Sequence, residues 1–347
     1  MNLKKNLENQ EVKASVPCRV DLGGTLDIST FFLPLSHLNP ATFNIALDMR
    51  TTVKLSPWRD GFIKISSKGF ESAQFEADRA PFNHPMGLMF AVASFFNADG
   101  VHVEIKSSSP PRSALGGSSA AAVAMVAAFK SVVSNKPTEP IDPAHTALIA
   151  HSIESSVAGV PCGLQDQLAA AYGGINCWHW SMGKSGISFK KEPLIDEANS
   201  NINLNILVAY CGIPHVSSDI NSRWVKSFLK GENRDKWHQI IKITQDFSKA
   251  VKCQDFTLAA SLMNQESQIR LAMTPDVFDK TGLELFESAK KNGCGARFTG
   301  AGGGGCIWAI GEKVLIDSLR YSWQEILDKV QDASLLDTLV DFKGIQL

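Results

Sequence analysis

A chain of 347 residues, 44% hydrophobic and 20% charged, can bury a sizeable core and reads as two domains of an ordinary globular protein. Its 34 basic and 35 acidic side chains leave a formal charge of −1, so no global field recruits nucleic acid or an anionic membrane, and an anionic ligand must be held locally. Seven scattered cysteines, odd in number and without a C-x-x-C pair, argue against a disulfide framework or a zinc site and fit a reducing cytoplasm.

Residues 1–13 are polar, lack the apolar centre of a signal peptide, and read as a short disordered tail. No window approaches the run of about eighteen apolar residues that a membrane span needs. Val16 to Leu22 and Ala41 to Leu55 carry β-branched and alternating runs, which predict strands of a mixed or antiparallel sheet, and Val101 to Ile105 alternates as another. A Ser/Pro loop, a glycine turn and an alanine-rich helix from about Ser119 to Val133 follow. Asp142 before Pro143 predicts a capped helix running to about Ser156, and a second helix spans Gly163 to the Gly173-Gly174 stop. Lys190 to Asn203, polar and broken by Pro193, reads as the boundary between domains at 14–195 and 204–347. Beyond it come a buried strand at Leu204 to Tyr210, helices at Ser218–Leu229, Arg234–Val251 and Asp255–Met273, and an apolar strand at Cys306–Ile310.

The most informative stretch is Pro110-Pro111-Arg112-Ser113-Ala114-Leu115-Gly116-Gly117-Ser118-Ser119-Ala120. Glycines let backbone N–H groups converge on one point, the helix start adds roughly half a positive charge, and the serines supply hydroxyl ligands for a phosphate or its metal ion. A serine N-cap on a buried helix would use one of those serines and leave Gly116, Gly117 and the second serine unexplained. Two other phosphate loops are excluded. Gly183-Lys184-Ser185 has Trp178 where a Walker loop needs its first glycine, and no Gly-x-Gly-x-x-Gly fingerprint of a Rossmann unit is present.

Other residues admit a chemical and a bland reading. Glu154, near the C-terminal end of its helix, sits where the macrodipole disfavours an anion, so it either answers a cation such as Mg²⁺ or is a solvated surface residue. Asp166 lies at the start of the next helix and either orients a hydroxyl and takes its proton or simply favours the helix. A turn containing Gly159 and Pro161 lets both face one cavity. Arg19, on an apolar strand, wants a carboxylate or phosphate, or else reaches solvent from an edge. Asp27, after Gly23-Gly24-Thr25, caps a turn or accepts substrate hydroxyl protons. The run Gly300-Ala301-Gly302-Gly303-Gly304-Gly305 reads as backbone closely approaching a ligand rather than as a hinge.

Together, the Arg19 strand with its glycine turn, Pro110 to Ala122, and Gly295 to Gly305 resemble, in order, the three motifs of the GHMP small-molecule kinases. That resemblance implies an α+β fold of two domains, a mixed α/β N-terminal one and a ferredoxin-like C-terminal one, with the active site between them. It further implies that the loop from Pro111 through Ser113 to Ala120 wraps the phosphates of ATP, that Ser119 and Glu154 hold Mg²⁺, and that Asp166 is the catalytic aspartate. Arg19 would lie beside it and meet the transferred phosphoryl group.

The stretch Gly163-Leu164-Gln165-Asp166-Gln167 and the Arg19 motif are similar to those of heptose and fucose kinases, which implies a small-molecule sugar as the partner, bound by Gly24, Thr25, Asp27, Gln165, Gly302 and Gly303. The segment Cys211 to Arg223, with His215 and Ser217, is similar to galactokinases as much as to heptose kinases, and either touches the sugar or starts a helix. The expected reaction is transfer to a hydroxyl, the anomeric one, of a hexose, heptose or heptose phosphate. A mevalonate-type or other small-alcohol kinase and a non-catalytic sugar- and nucleotide-binding regulator are the alternatives. Two departures bear on substrate choice: Leu26 intervenes before Asp27, one residue short of the family spacing from Arg19, and Phe31 to Asn44 is an apolar insert. Trp58 is offered for the adenine ring.

Overall fold

The computed structural model describes residues 3–133, 140–183, 186–199, 202–214 and 217–347. Its first sheet contains β1 (Val12–Leu22), β2 (Ala41–Pro57), β3 (Phe62–Ser67), β4 (Ala73–Glu76), β5 (Val101–Ser107), β6 (Ile175–Gly183) and β7 (Gly186–Ile195), ordered β4-β3-β5-β2-β6-β7 with β1 also paired to β2. The long β2 organises it: β1 runs antiparallel along one edge, while β5 and β6 share the other, at Thr51–Pro57 and Ala41–Ile45. Only the β3–β5 ladder is parallel among the described strands, so the sheet is mixed.

One face of this sheet is covered by α3 (Gly87–Phe95), α4 (Gly117–Val133), α5 (Pro143–Val157) and α6 (Gln165–Tyr172). Ala120 to Phe129 are all buried, and small side chains let α4 pass through the middle of this layer. Part of the other face packs on the C-terminal unit, where Phe43 meets Phe247 at 4.9 Å and stacks on Trp308 at 6.2 Å. Covered on both sides, Val16 to Leu22 is buried without alternation.

The C-terminal unit carries β8 (Ile206–Tyr210), β9 (Gly295–Phe298), β10 (Cys306–Ile310) and β11 (Ser334–Leu336) in the order β11-β8-β10-β9, all antiparallel. With helices between β8 and β9 and between β10 and β11, this is a ferredoxin-like topology. Those helices are α7 (Ser217–Leu229), α8 (Arg234–Lys252), α9 (Phe256–Met273), α10 (Lys280–Lys291) and α11 (Lys313–Leu327), and Asp142, Asp255 and Asp279 each cap a helix through a side-chain oxygen.

Two expectations are corrected, and one departure is explained. Leu3–Asn9 is a helix, α1, with Leu3 and Leu7 buried, and β1 begins at Val12, so residues 3–13 are not a disordered tail. Lys190 to Ile195 belongs to β7, paired with β6 despite Pro193, which shortens the proposed boundary. A short helix, α2 (Ser29–Phe32), leads into the Phe31–Asn44 insert, and its Phe31 packs on Phe228 and Trp237 at 4.9 and 4.3 Å. Its apolar character serves the contact between the two units. A further crossing joins them: Leu339 to Asp341 pair with β2 at Ala46–Asp48, between its β6 and β5 partners, and Gln346 pairs with Ser15. Arg50 fastens this strap by donating to Asp341, Lys343 and Gly344.

Candidate active site

A cavity of about 560 Å³ lies where β1, the β5–α4 loop, the α5–α6 turn and the β9–β10 loop meet. The loop is held by its carbonyls: Ser113 O accepts from Cys306 N–H at 2.9 Å, Ala114 O from Arg19 Nη1 at 2.7 Å, and Leu115 O from Arg19 N–H at 3.0 Å. With those carbonyls turned into the protein, the first turn of α4 presents amides without intrahelical partners to the cavity, together with the Ser118 and Ser119 hydroxyls. Arg112, Ala114 and Gly116 all have positive φ, at 55°, 61° and 75°. Two non-glycine residues in that region of a single loop mark strain held by the surrounding structure.

Below the loop, Arg19 grips Asp166 with both arms of its fork, Nε to Oδ1 at 2.8 Å and Nη2 to Oδ2 at 2.9 Å. A methyl group on Gly116 would lie 3.4 Å from Asp166 Oδ2, so the carboxylate lies one carbon's breadth from the glycine turn. Burial opposes the charge on Arg19, but Asp166 and Asp21 together hold its pKa above the ordinary value. Arg19 and Asp21 are two apart on a strand and therefore share a face.

Asp21 continues the charges into the interior. It lies 3.6 Å from Arg19 and 3.2 Å from Arg297; Arg297 binds Glu266 at 2.9 Å, and Glu266 binds Arg270 at 2.8 Å. Arg270 then donates to Thr25 Oγ1 at 3.0 Å and to Gly24 O at 2.7 Å, with its guanidinium between Trp224 and Trp237 at 4.6 and 4.7 Å. Burial pushes the Glu266 carboxyl up, yet Arg297 and Arg270 outweigh it and hold the group below its ordinary value. From Asp166 to Arg270 the six charges alternate in sign, and each is paired. The ladder ties α9 and β9 of one unit to β1 and its glycine turn in the other.

Glu154 Oε2 accepts from Ser119 Oγ at 2.8 Å and from Gln167 Nε2 at 2.6 Å. Burial raises its pKa to about 7, with Asp166 adding to the rise and the Ser119 hydrogen bond opposing it. Such a carboxyl ionises fully when a cation arrives. One carboxylate, a hydroxyl and the phosphate oxygens of a nucleotide make the kind of partial shell Mg²⁺ takes. No group of three His, Cys, Asp or Glu side chains that could hold a metal exists among the described residues, so any other ligands come from nucleotide and water.

Asp27 faces the same cavity, 4% exposed, and accepts the Gln165 N–H at 3.0 Å. Burial raises its pKa from 3.8 to about 6, with smaller contributions from Asp166 and Asp21. A methyl on Gly163 would fall 1.7 Å from its Oδ2, so glycine there makes room for the carboxylate. Leu26 is fully buried among Ile28, Phe31 and the C-terminal core, anchoring the turn so that the shortened spacing still delivers Asp27 to the cavity.

Thus Arg19, Thr25, Asp27, Glu154, Gln165 and Asp166 line one cavity with Pro111, Ser113, Ala114 and Gly116 to Ser119. Leu115 and Ala120 do not; their side chains are buried in the core. Gly24 does not either: a Cβ there would strike Asp21 Oδ2 at 2.5 Å, and its carbonyl serves Arg270. Gly302 and Gly303 approach protein rather than ligand, since Cβ atoms there would meet Val277 O at 2.4 Å and Ile220 Cδ1 at 2.8 Å; Gly300 and Ala301 line the cavity instead. His215 and the Ser217 side chain lie outside what is described.

Sequence reasoning missed the far end of the cavity, where Phe70, Pro85, Met86, Met89 and Ile105 form an apolar recess beside the β5–α4 loop, of the kind a flat aromatic ligand fills. Trp58 is not there; it sits under Lys64 at 4.2 Å and beside His102 at 5.5 Å. Glu266 and Arg270 were also missed, although their i,i+4 spacing on a helix was a legible signal.

Residues 83–174 match the model of the GHMP kinases N terminal domain, and residues 247–329 match that of the GHMP kinases C terminal domain. The mevalonate kinase of Thermococcus sibiricus is 26% identical over 293 residues, 76% of this chain and 81% of that protein. Among solved structures, the galactokinase of Lactococcus lactis, complexed with galactose, superposes with a TM-score of 0.72 at 15% identity over 99% and 98% of the two chains. A D-glycero-D-manno-heptose 1-phosphate kinase from Bacteriodes thetaiotaomicron does so with a TM-score of 0.70 at 15% identity, covering 96% and 97%. At such identities these two likenesses carry the fold.

Proposed function

The chain belongs to the GHMP kinases, phosphotransferases that use ATP as donor and alcohols as acceptors, and we propose that it phosphorylates the anomeric hydroxyl of a hexose, heptose or heptose phosphate. The observation that carries this reading is the Arg19–Asp166 fork, bonded to the loop at the Ala114 carbonyl and lying beside the Gly116 turn, which sets a carboxylate next to an anion cradle. Asp166 stays open to the cavity, with 24% of its side chain exposed, and each oxygen keeps a lone pair beyond its bond to Arg19.

In the proposed reaction the acceptor hydroxyl donates to Asp166, and its oxygen bonds to the γ-phosphorus as the bond from that phosphorus to the β-bridging oxygen breaks. The proton passes to Asp166 and ADP leaves. Phosphoryl transfer of this kind depends on positioning and charge neutralisation, so a carboxylate fixed in place by the Arg19 fork suffices to orient the nucleophile. The ring oxygen makes the anomeric hydroxyl more acidic than an ordinary alcohol, which suits such a base. Ser119 and Glu154 would hold Mg²⁺, whose charge would neutralise the triphosphate. The amides of Gly117 to Ser119 cradle the phosphates, and the recess by Met86 and Phe70 takes the base.

A second reading has its own support: the T. sibiricus relative matched over most of its length is a mevalonate kinase, which favours a mevalonate-type acceptor. ADP release from ATP and Mg²⁺ across a panel of free and phosphorylated hexoses, heptoses and mevalonate separates the two. Turnover of mevalonate alone would overturn the sugar assignment.

A further inference from the structure

The two ends of the cavity differ in the charge they offer. Lys68 and Arg112 stand at the nucleotide end, where Gly69 rests on Pro111. Towards Thr25, Asp27, Cys162 and Gln165 the charged groups among the described lining residues are Asp27, Asp166, Glu154 and Arg19. Arg19 is already spent on Asp166, the Ala114 carbonyl and Asp21. Arg270, directly behind the turn, is fully buried and committed to Glu266, Thr25 and Gly24.

This end also lacks hydrogen-bond donors for the acceptors it holds. Gln165, 6% exposed, has its Oε1 buried without a donor. Asp27 has no cation beside it among the described residues, and the Gln165 amide is the neighbouring donor to its Oδ2. Buried acceptors left in this state are costly, a charged one most of all, unless a ligand brings O–H groups. A carboxylate or phosphate would bring further acceptors and negative charge.

We propose that the acceptor is a polyhydroxy compound that presents hydroxyl donors to Asp27 and Gln165 and carries no anionic group, a free sugar rather than a sugar phosphate, uronate or hydroxy acid. This rests on the kinase reading above and narrows it. It sets the relatives' mevalonate, a carboxylate, against the charge of this chain's own cavity.

The test is ADP release by the full chain with ATP and Mg²⁺ on acceptor pairs that differ by one anionic group: a hexose or heptose against its terminal phosphate, and a hexose against its uronic acid, with mevalonate as a further anion. The neutral member is expected to have a kcat/KM at least about 30-fold higher, the size of like-charge repulsion across several ångströms of partly screened protein. Asp27→Asn, which keeps an oxygen for the Gln165 amide, is expected to shrink that ratio, as is added salt. An anionic acceptor used as well as its neutral partner leaves the kinase reading standing and overturns this inference. A ratio unmoved by Asp27→Asn assigns exclusion to shape and overturns the electrostatic basis. No ADP with any acceptor overturns the kinase reading, and this inference with it.

Discussion

The nucleotide end and the acceptor end of the cavity are built in opposite ways. One is made of donors: a glycine-serine turn, the first amides of α4 and two cationic side chains, all on or near a loop whose carbonyls are tied back. The other is made of acceptors: Asp27, Asp166 and Gln165 Oε1. Donors suit a ligand that is all phosphate oxygen, and acceptors suit one that is all hydroxyl, so the polarity of the walls sorts two substrates without a partition. Arg19 lies on the seam, donating to the loop carbonyl on one side and to Asp166 on the other.

That contrast can be broken most severely at Asp166. Asp166→Asn is expected to reduce kcat by about 10²–10⁴-fold while nucleotide binding stays near wild type, read by single-turnover ADP formation beside a nucleotide titration. Near-normal turnover would remove Asp166 from the reaction. Arg19→Met breaks the seam instead: it leaves Asp166 without its cation and Asp21 with Arg297 alone, a loss of about 3–5 kcal/mol in denaturant unfolding. If stability does not fall, the ladder is not a structural member.

Asp27 gives a pH signature confined to the acceptor end. Its folded pKa is raised from 3.8 to about 6, so the folded state holds the proton more tightly than the unfolded chain. The stability associated with this group is therefore fully present below about pH 4, is lost as pH rises to about 6, and is flat above. Asp27→Asn is expected to abolish that slope and to be more stable at pH 7 by roughly 2–3 kcal/mol, measured by urea unfolding at several pH values. An unchanged slope would place its origin elsewhere. The smallest effect is expected at the Ser119–Glu154 pair, where Glu154→Gln and Ser119→Ala should each raise the Mg²⁺ requirement about tenfold, some 1.4 kcal/mol. An Mg²⁺ titration identical to wild type would take both residues out of the metal shell.

The donor end was the legible one because it is local: residues 110–119 carry loop, turn and helix start in one stretch, and spacing alone announces an anion cradle. The alternating strands, the Asp142 cap and Cys306–Ile310 were legible for the same reason. The apolar recess draws on side chains from Phe70 to Ile105, each an ordinary core or surface residue in its own context. The glycine run was read as close approach to a ligand; Gly300 and Ala301 do line the cavity, while only the folded chain reveals that Val277, Ile220 and Ser113 occupy the space beside Gly302, Gly303 and Gly305. Asp27 stood between two readings until Gly163, distant in sequence, proved to be the surface it lies against.

The strap at residues 339–346 has a consequence for how the molecule is made. It fills a place in a sheet whose other strands have left the ribosome long before, and Arg50 has no Asp341, Lys343 or Gly344 to hold until then. During synthesis β2 therefore waits with the Ala46 carbonyl and the Asp48 N–H unpaired along that edge, an opening through which another nascent chain could add a strand. Cutting the molecule between its two sheets would leave that vacancy permanent, so neither half inherits a finished domain.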